Sequence, residues 1–200
     1  MKSNYFIIIL FVMLVSCKQN KDDKQIMWNK IMVDSFIKND STFSKLNTKN
    51  EVLFPFKKKD LVSKQSCDIF YFDGKQKDYK IYLNNGFYRN YKCIPIIDNL
   101  GVLKIIIDYS DGFSSHGFTI TCKNKEFTTT TYYHADFNSK EKKTHKIIYQ
   151  KLILNKAIYQ LNDSIFGKIE FKSIDKYSNN FVKEHNGKGF FRGKIIKPMN

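Results

Sequence analysis

From about residue 52 onward, apolar side chains recur at every second position. That period of two limits what this chain can fold into more than any other feature. Cys67, Ile69 and Tyr71 fall on one side, and Tyr79, Ile81 and Leu83 repeat the pattern. Near the end, Ile165, Gly167, Ile169 and Phe171 share one face, with Phe166, Lys168, Glu170 and Lys172 on the other. Successive side chains of a strand point to opposite faces, whereas a helix spreads the same pattern around its axis. Asp73-Gly74, Asn85-Gly86 and the run Asp98 to Gly101 punctuate the alternation with turn chemistry.

The remaining segments continue the series. Residues 87–97 read as a strand broken near Pro95. Val102 to Ile107 is apolar on both sides and reads as a central strand. Segments 117–122 and 126–133 follow, the second rich in the strand-favouring Thr and Tyr. Residues 135–144 read as a polar loop, 145–154 and 164–172 as strands, and the polar stretch 173–187 leaves room for a short helix. Gly189 to Ile196 closes the chain, with Phe191, Gly193 and Ile195 on one face. About nine short strands with frequent turns predict a mainly β fold, an antiparallel sandwich or partly open barrel. One N-terminal helix is expected over 25–38, where Trp28, Met32 and Phe36 follow i, i+4 spacing. Asn39-Asp40-Ser41-Thr42 is expected to end it.

The N-terminus has a different character. Lys2 precedes an apolar run of 11 residues, Tyr5 to Val15, which closes on Leu14-Val15-Ser16-Cys17. A spanning helix needs roughly 20 apolar residues, so this run has the layout of a cleavable export signal. It resembles the lipobox of bacterial lipoproteins. The resemblance implies cleavage between Ser16 and Cys17, lipidation of Cys17 through its sulfur, and a membrane anchor through that lipid, each buried methylene contributing about 0.8 kcal/mol and two or more chains giving stable attachment. It divides the chain into a signal peptide (1–16), a lipidated tether (17–24) and one globular domain (25–200). Lys18 stands where an Asp would signal inner-membrane retention, so the resemblance favours the outer membrane, on its periplasmic or surface side. Lys21-Asp22-Asp23 is similar to the acidic export signal of Bacteroidetes surface lipoproteins and reads equally as a charged linker. The glycine–aromatic alternation of Ser164 to Phe171 and Gly187 to Ile195 resembles the closing hairpin of small Bacteroidetes lipoproteins, a group with no assigned activity. Glycine there suits a neighbouring strand whose large rings pack over positions lacking a side chain.

The net charge of +15 invites a nucleic-acid partner. Against it, the only arginines are Arg89 and Arg192 among 34 basic residues. Arg, not Lys, makes the bidentate contacts that read bases and clamp phosphates. With export implied as well, no nucleic-acid partner is expected. The membrane, through Cys17, and an envelope protein or glycan are the expected partners. Beyond Cys17 the cysteines are Cys67, Cys93 and Cys122. They contain no Cys-x-x-Cys, lie in β-like runs, and read as small buried side chains, one disulfide among them being open.

No motif assembles a reaction. Gly112-Phe113-Ser114-Ser115-His116-Gly117 approaches a nucleophile elbow, but its second glycine is one place late and a strand, not a helix, follows. It reads as a Gly/Ser-rich turn. His116, His134, His145 and His185 lack zinc-site spacing. His134 and Asp136 are two apart and would share a strand face, which is a pair and not a site. Asp98, Asp108 and Asp111 flank one strand, two of them in turn signals. EF-hand, Walker and dinucleotide motifs are absent, so no metal or cofactor is expected. Tyr88, Tyr91, Tyr132 and Tyr133 read as core before they read as a ligand platform. The expected function is that of a non-enzymatic binding or accessory module in the cell envelope. The alternatives are an envelope hydrolase acting on glycan or peptide, and an immunity or inhibitor protein.

Overall fold

The computed structural model describes residues 26–49, 64–75, 91–110, 112–135 and 143–198. The signal peptide, Cys17, the tether, Asp111, Asp136, Tyr88, Arg89 and the strand expected at 79–83 lie outside them. The described chain is mainly β, with two five-stranded sheets and one α-helix. The first sheet has the order β1(Asn29–Lys30), β7(Glu126–Ala135), β6(Ser114–Lys123), β5(Leu103–Ser110), β4(Lys92–Ile97). The second has the order β2(Met32–Val33), β8(Lys143–Leu154), β9(Ser164–Tyr177), β10(Val182–Lys194), β3(Cys67–Gly74). All pairs are antiparallel except β2 with β8. The sheets face each other as a sandwich, and among the described residues no barrel closes.

The alternation explains the core. The inward row of β9 is Ile165, Gly167, Ile169, Phe171, Ser173 and Asp175, buried at every second position. Opposite it, Ile105, Ile107, Phe118, Ile120 and Phe127 come from the first sheet, all fully buried. Phe118 and Phe171 meet at 4.7 Å between ring centres, a favourable tilted contact. The glycine–aromatic reading holds in detail. A Cβ on Gly187 would sit 2.1 Å from the ring of Phe171, and one on Gly167 would sit 2.2 Å from Phe191. The rings occupy the space those glycines leave.

Three expectations fail, each for a tertiary reason. Residues 26–39 hold no α-helix: Asn29–Lys30 and Met32–Val33 are short strands, and Ile37–Asn39 is a single 3₁₀ turn. The strands complete exposed edges of β7 and β8, and pairing overrides the helical spacing. The helix, α1, is Ser41–Thr48 and begins where the sequence reading ended one. Asp40 is its N-cap and accepts a hydrogen bond from the Thr42 amide at 2.9 Å. Phe43 and Leu46 of α1 bury against Phe166 and Phe190 on the outer face of the second sheet. Arg192 clamps the helix there, donating to Asn47 Oδ1 at 2.6 Å and to the Phe43 carbonyl. The polar stretch 173–187 is not helical; it is the tip of a long β9–β10 hairpin. Pro95 does not break its strand. β4 lies at a sheet edge, where the missing amide hydrogen removes no ladder bond.

Both flanks of the sandwich are stapled. On one, the Ile196 amide donates to the Pro95 carbonyl and the Ile97 amide to the Ile196 carbonyl, at 3.0 and 3.1 Å. On the other, the chain crosses from β1 to β2 through Ile31. Gln150 Nε2 holds that strap with the Met27 carbonyl, Asn29 Oδ1 and the Phe127 carbonyl within 3.3 Å.

Gly187→Ala and Gly167→Ala each lower the unfolding free energy by about 2 kcal/mol through overpacking, read as a lower urea midpoint at unchanged slope. Combining Gly187→Ala with Phe171→Leu recovers part of the Gly187→Ala loss, because the smaller side chain vacates the clash.

Candidate functional site

Two polar clusters bear on function, one inside the sandwich and one on its outer face. The interior one centres on Asp175, a carboxylate with no solvent exposure. Strand parity brings its partners in. A bulge at Ile147/Tyr149 resets the register of β8, so Lys143 and His145 before it and Gln150, Leu152 and Leu154 after it all point inward. Asp175 Oδ1 faces His145 Nδ1 at 2.6 Å. Its Oδ2 accepts from Lys143 Nζ, from His185 Nε2 at 3.0 Å and from the Thr131 hydroxyl at 3.2 Å.

The charge states follow from the partners. Burial alone would raise the Asp175 carboxyl, but the bonds from His145, His185 and Lys143 outweigh it and hold the group far below the usual carboxylate range. Burial lowers the pKa of His185 against the pull of Asp175, so the ring is neutral. Its Nε2–H donates to Asp175, and its Nδ1 accepts from the Tyr71 hydroxyl at 2.9 Å. Burial raises the Tyr71 phenol well above its ordinary value, keeping that donor protonated. His145 faces Asp175 through Nδ1 and the Thr129 carbonyl through Nε2 at 3.1 Å. The cluster sets one carboxylate against the Lys143 ammonium and the His145 ring at the partly open flank between β7 and β8. Every group in it is bonded to another, and among the described residues the carboxylate has no solvent exposure.

The second place is a shallow concavity of about 450 Å³ on the outer face of the first sheet. Ile94 and Ile106 supply its apolar end, Thr119 and Thr130 its middle, and Asp108, Tyr132, Ser115 and His134 its polar end. Gly117 makes the dip. A Cβ there would lie 1.9 Å from the Ile107 carbonyl oxygen and 3.2 Å from the Tyr132 hydroxyl. The Tyr132 ring lies across the gap and donates to Asp108 Oδ1 at 2.7 Å. Burial, then the bond to Asp108, raises the Tyr132 phenol, which remains a donor at any physiological pH. Ser115 and His134 are cross-strand neighbours, and the Tyr132 and His134 rings lie 5.7 Å apart. Among the described residues no hydrogen bond joins Ser115 to His134, and Asp108 is engaged by Tyr132. A nucleophile, its base and an orienting acid are therefore not aligned as acyl transfer requires.

A third concavity, about 270 Å³, opens at one end of the sandwich between Leu103, Cys122, Leu154 and the 155–163 loop. It is mainly apolar. The Tyr159 hydroxyl on its wall donates to Asn155 Oδ1 at 2.7 Å. Burial pushes the Cys122 thiol up to about 12, so it is no nucleophile.

The residues singled out from sequence are dispersed. Ser114 and Ser115 belong to strand β6, not to the expected turn, and His116 is buried in that strand. Asp98 does the turn work expected of it, accepting from the Leu100 and Val102 amides. Tyr91 is core, while Tyr132 and Tyr133 face opposite sides of β7. No disulfide forms among the described residues; Cys67, Cys93 and Cys122 are buried thiols. Asp175 was not singled out. Extending the β9 alternation past Phe171 would have placed Ser173 and Asp175 inside. Among the described residues, no group of three or more His, Cys, Asp or Glu is arranged to hold a metal, and no helix is long and apolar enough to cross a membrane.

Comparison with protein-family models, curated proteins and solved structures finds no match to this chain.

Asp175→Asn lowers stability at pH 7 by about 3 kcal/mol, because it leaves buried donors short of their anion. The native carboxyl titrates below its unfolded value near 3.9, so its contribution is present above that pH and fades as pH falls below it. Chemical denaturation from pH 6 to pH 2 therefore shows the wild-type advantage over Asp175→Asn shrinking below about pH 4. A constant advantage across the range would contradict the assigned charge state.

Proposed function

We propose that this chain is a lipid-anchored protein of a bacterial cell envelope whose β-sandwich acts by binding. The address rests on the Leu14-Val15-Ser16-Cys17 segment and its resemblance to a lipobox, with palmitate on Cys17. The binding half rests on one observation. The outer groove presents hydroxyls, an imidazole, a carboxylate and an aromatic ring beside apolar side chains, with no relay among them. That mixture suits a hydroxylated ligand, which needs both donors and acceptors and a flat apolar face. An envelope glycan is the ligand class this chemistry fits, and the domain would serve as an accessory module holding it near the membrane.

Two measurements test this. Cys17→Ala, followed by cell fractionation and labelling with radioactive palmitate, moves the protein to the soluble fraction and abolishes the label. An unlabelled wild type, or a variant that stays in membranes, sinks the anchor. Thr130 is exposed at the centre of the groove. Thr130→Lys blocks the groove without touching the core and lowers retention on purified envelope glycan by roughly tenfold at an unchanged unfolding midpoint. Equal retention by both proteins, or none by either, removes the glycan reading.

A further inference from the structure

The strap that crosses from β1 to β2 is unusually apolar for a surface segment. Ile26, Met27, Trp28, Met32, Val33 and Phe36 are all exposed, Ile26 to 60% and Phe36 to 75%. Hydrogen bonds place them along a single edge. The Met27 carbonyl accepts from Gln150, Met32 and Val33 run beside Ile153 and Leu154, and the Asp34 amide donates to the Leu154 carbonyl. The bulge in β8 adds Ile148 and Tyr149 next to Gln150, both more than two-fifths exposed. One flank of β8 therefore carries a continuous series of large apolar side chains. Scattered apolar residues are normal on a protein surface, whereas a run of them along one edge marks a contact.

Two features identify what it touches. Only eight residues separate Cys17 from Ile26. Even fully extended they span about 30 Å, so a lipid on Cys17 keeps this edge close to the bilayer whatever path the tether takes. Charge also agrees: residues 18–38 hold five Lys and three Asp, and Lys30 and Lys38 are exposed within the apolar series. Aromatic and aliphatic side chains interleaved with lysine suit the headgroup region of a bilayer, where rings sit at the interface and ammonium groups meet anionic phosphates.

We infer that the β8 flank bearing Trp28, Met32 and Phe36 docks on the phospholipid surface that holds Cys17, fixing how the sandwich stands on the membrane. The inference rests on the lipid-anchor reading. It places the β7–β8 flank against the lipid and leaves the groove on the outer face of the first sheet beside the membrane and open to ligand. The lipid on Cys17 holds the chain to the bilayer, and a second contact of this kind sets the orientation of the domain on it.

Trp28 is the chain's single tryptophan, so its fluorescence reports this edge alone. The test uses the full chain purified from membranes and reconstituted in phosphatidylethanolamine–phosphatidylglycerol vesicles, with or without brominated acyl chains. Palmitate on Cys17 is checked by mass in the same sample. The expected result is a lipidated protein that loses roughly half its Trp28 emission in brominated vesicles and resists aqueous iodide. Met32→Glu with Phe36→Glu restores the emission while palmitate stays in place. A lipidated protein whose emission is equal in both vesicles overturns the docking and leaves the anchor standing. Emission that follows the protein-to-lipid ratio in place of bromination overturns it in favour of contact between two copies of the chain. Absence of palmitate removes the anchor and the docking together.

Discussion

Directional bonds between the two sheets gather around one buried carboxylate, Asp175. Apolar packing between them is non-directional, and it favours closeness without fixing how far one sheet slides over the other. The bonds to Asp175 are directional. Thr131 comes from the first sheet, and Lys143, His145 and His185 come from strands of the second. A carboxylate buried at that depth needs this many donors; three come from its own sheet, and the Thr131 hydroxyl, with the Lys143–Thr131 and His145–Thr129 carbonyl bonds, ties the cluster to the first. The neutral His185 extends the same chain of bonds to Tyr71, whose ring packs against Phe118 and Phe171 in the apolar core. Polar and apolar halves of the interior are continuous through that tyrosine.

The arrangement separates structural chemistry from ligand chemistry. Inside, Asp175, His185 and Tyr71 are buried and bonded in a chain, with Lys143 and His145 beside them at the partly open flank. Outside, Gly117 lets Tyr132 cross the sheet to Asp108, and the surrounding Thr, Ser and His side chains keep donors and acceptors turned to water. The flanks differ as well. The Pro95–Ile196 side is closed by backbone hydrogen bonds, while the β8 side is closed by a strap that presents apolar side chains outward. The groove lies on one face of the sandwich and the apolar edge on the adjacent flank, so the two surfaces point in different directions.

Much of the fold was legible because burial in a sandwich follows strand parity. Ile165, Ile169 and Phe171 faced the core as their alternation required, and the glycines opposite aromatic rings had the role their spacing suggested. The candidate site was less legible. Tyr132 and Asp108 lie 24 residues apart, and only the antiparallel register of β5, β6 and β7 brings them together over Gly117. His145 and Asp175 needed both a hairpin and a bulge that no residue pattern announced. Trp28, Met32 and Phe36 satisfy helical spacing, but the free edges of β7 and β8 take this segment's backbone as two short strands.

By itself the sequence determined the mainly β class, the turn positions around Asp98, the inward row of β9 and the burial of the three later cysteines. These are local properties, set by side-chain period and by which residues tolerate a turn. Only the tertiary structure decided the pairing order, the place of the single helix, the partners of Asp175 and the groove over Gly117. Those depend on contacts between distant segments, and a strand's own sequence specifies which face it buries but not which neighbour it meets.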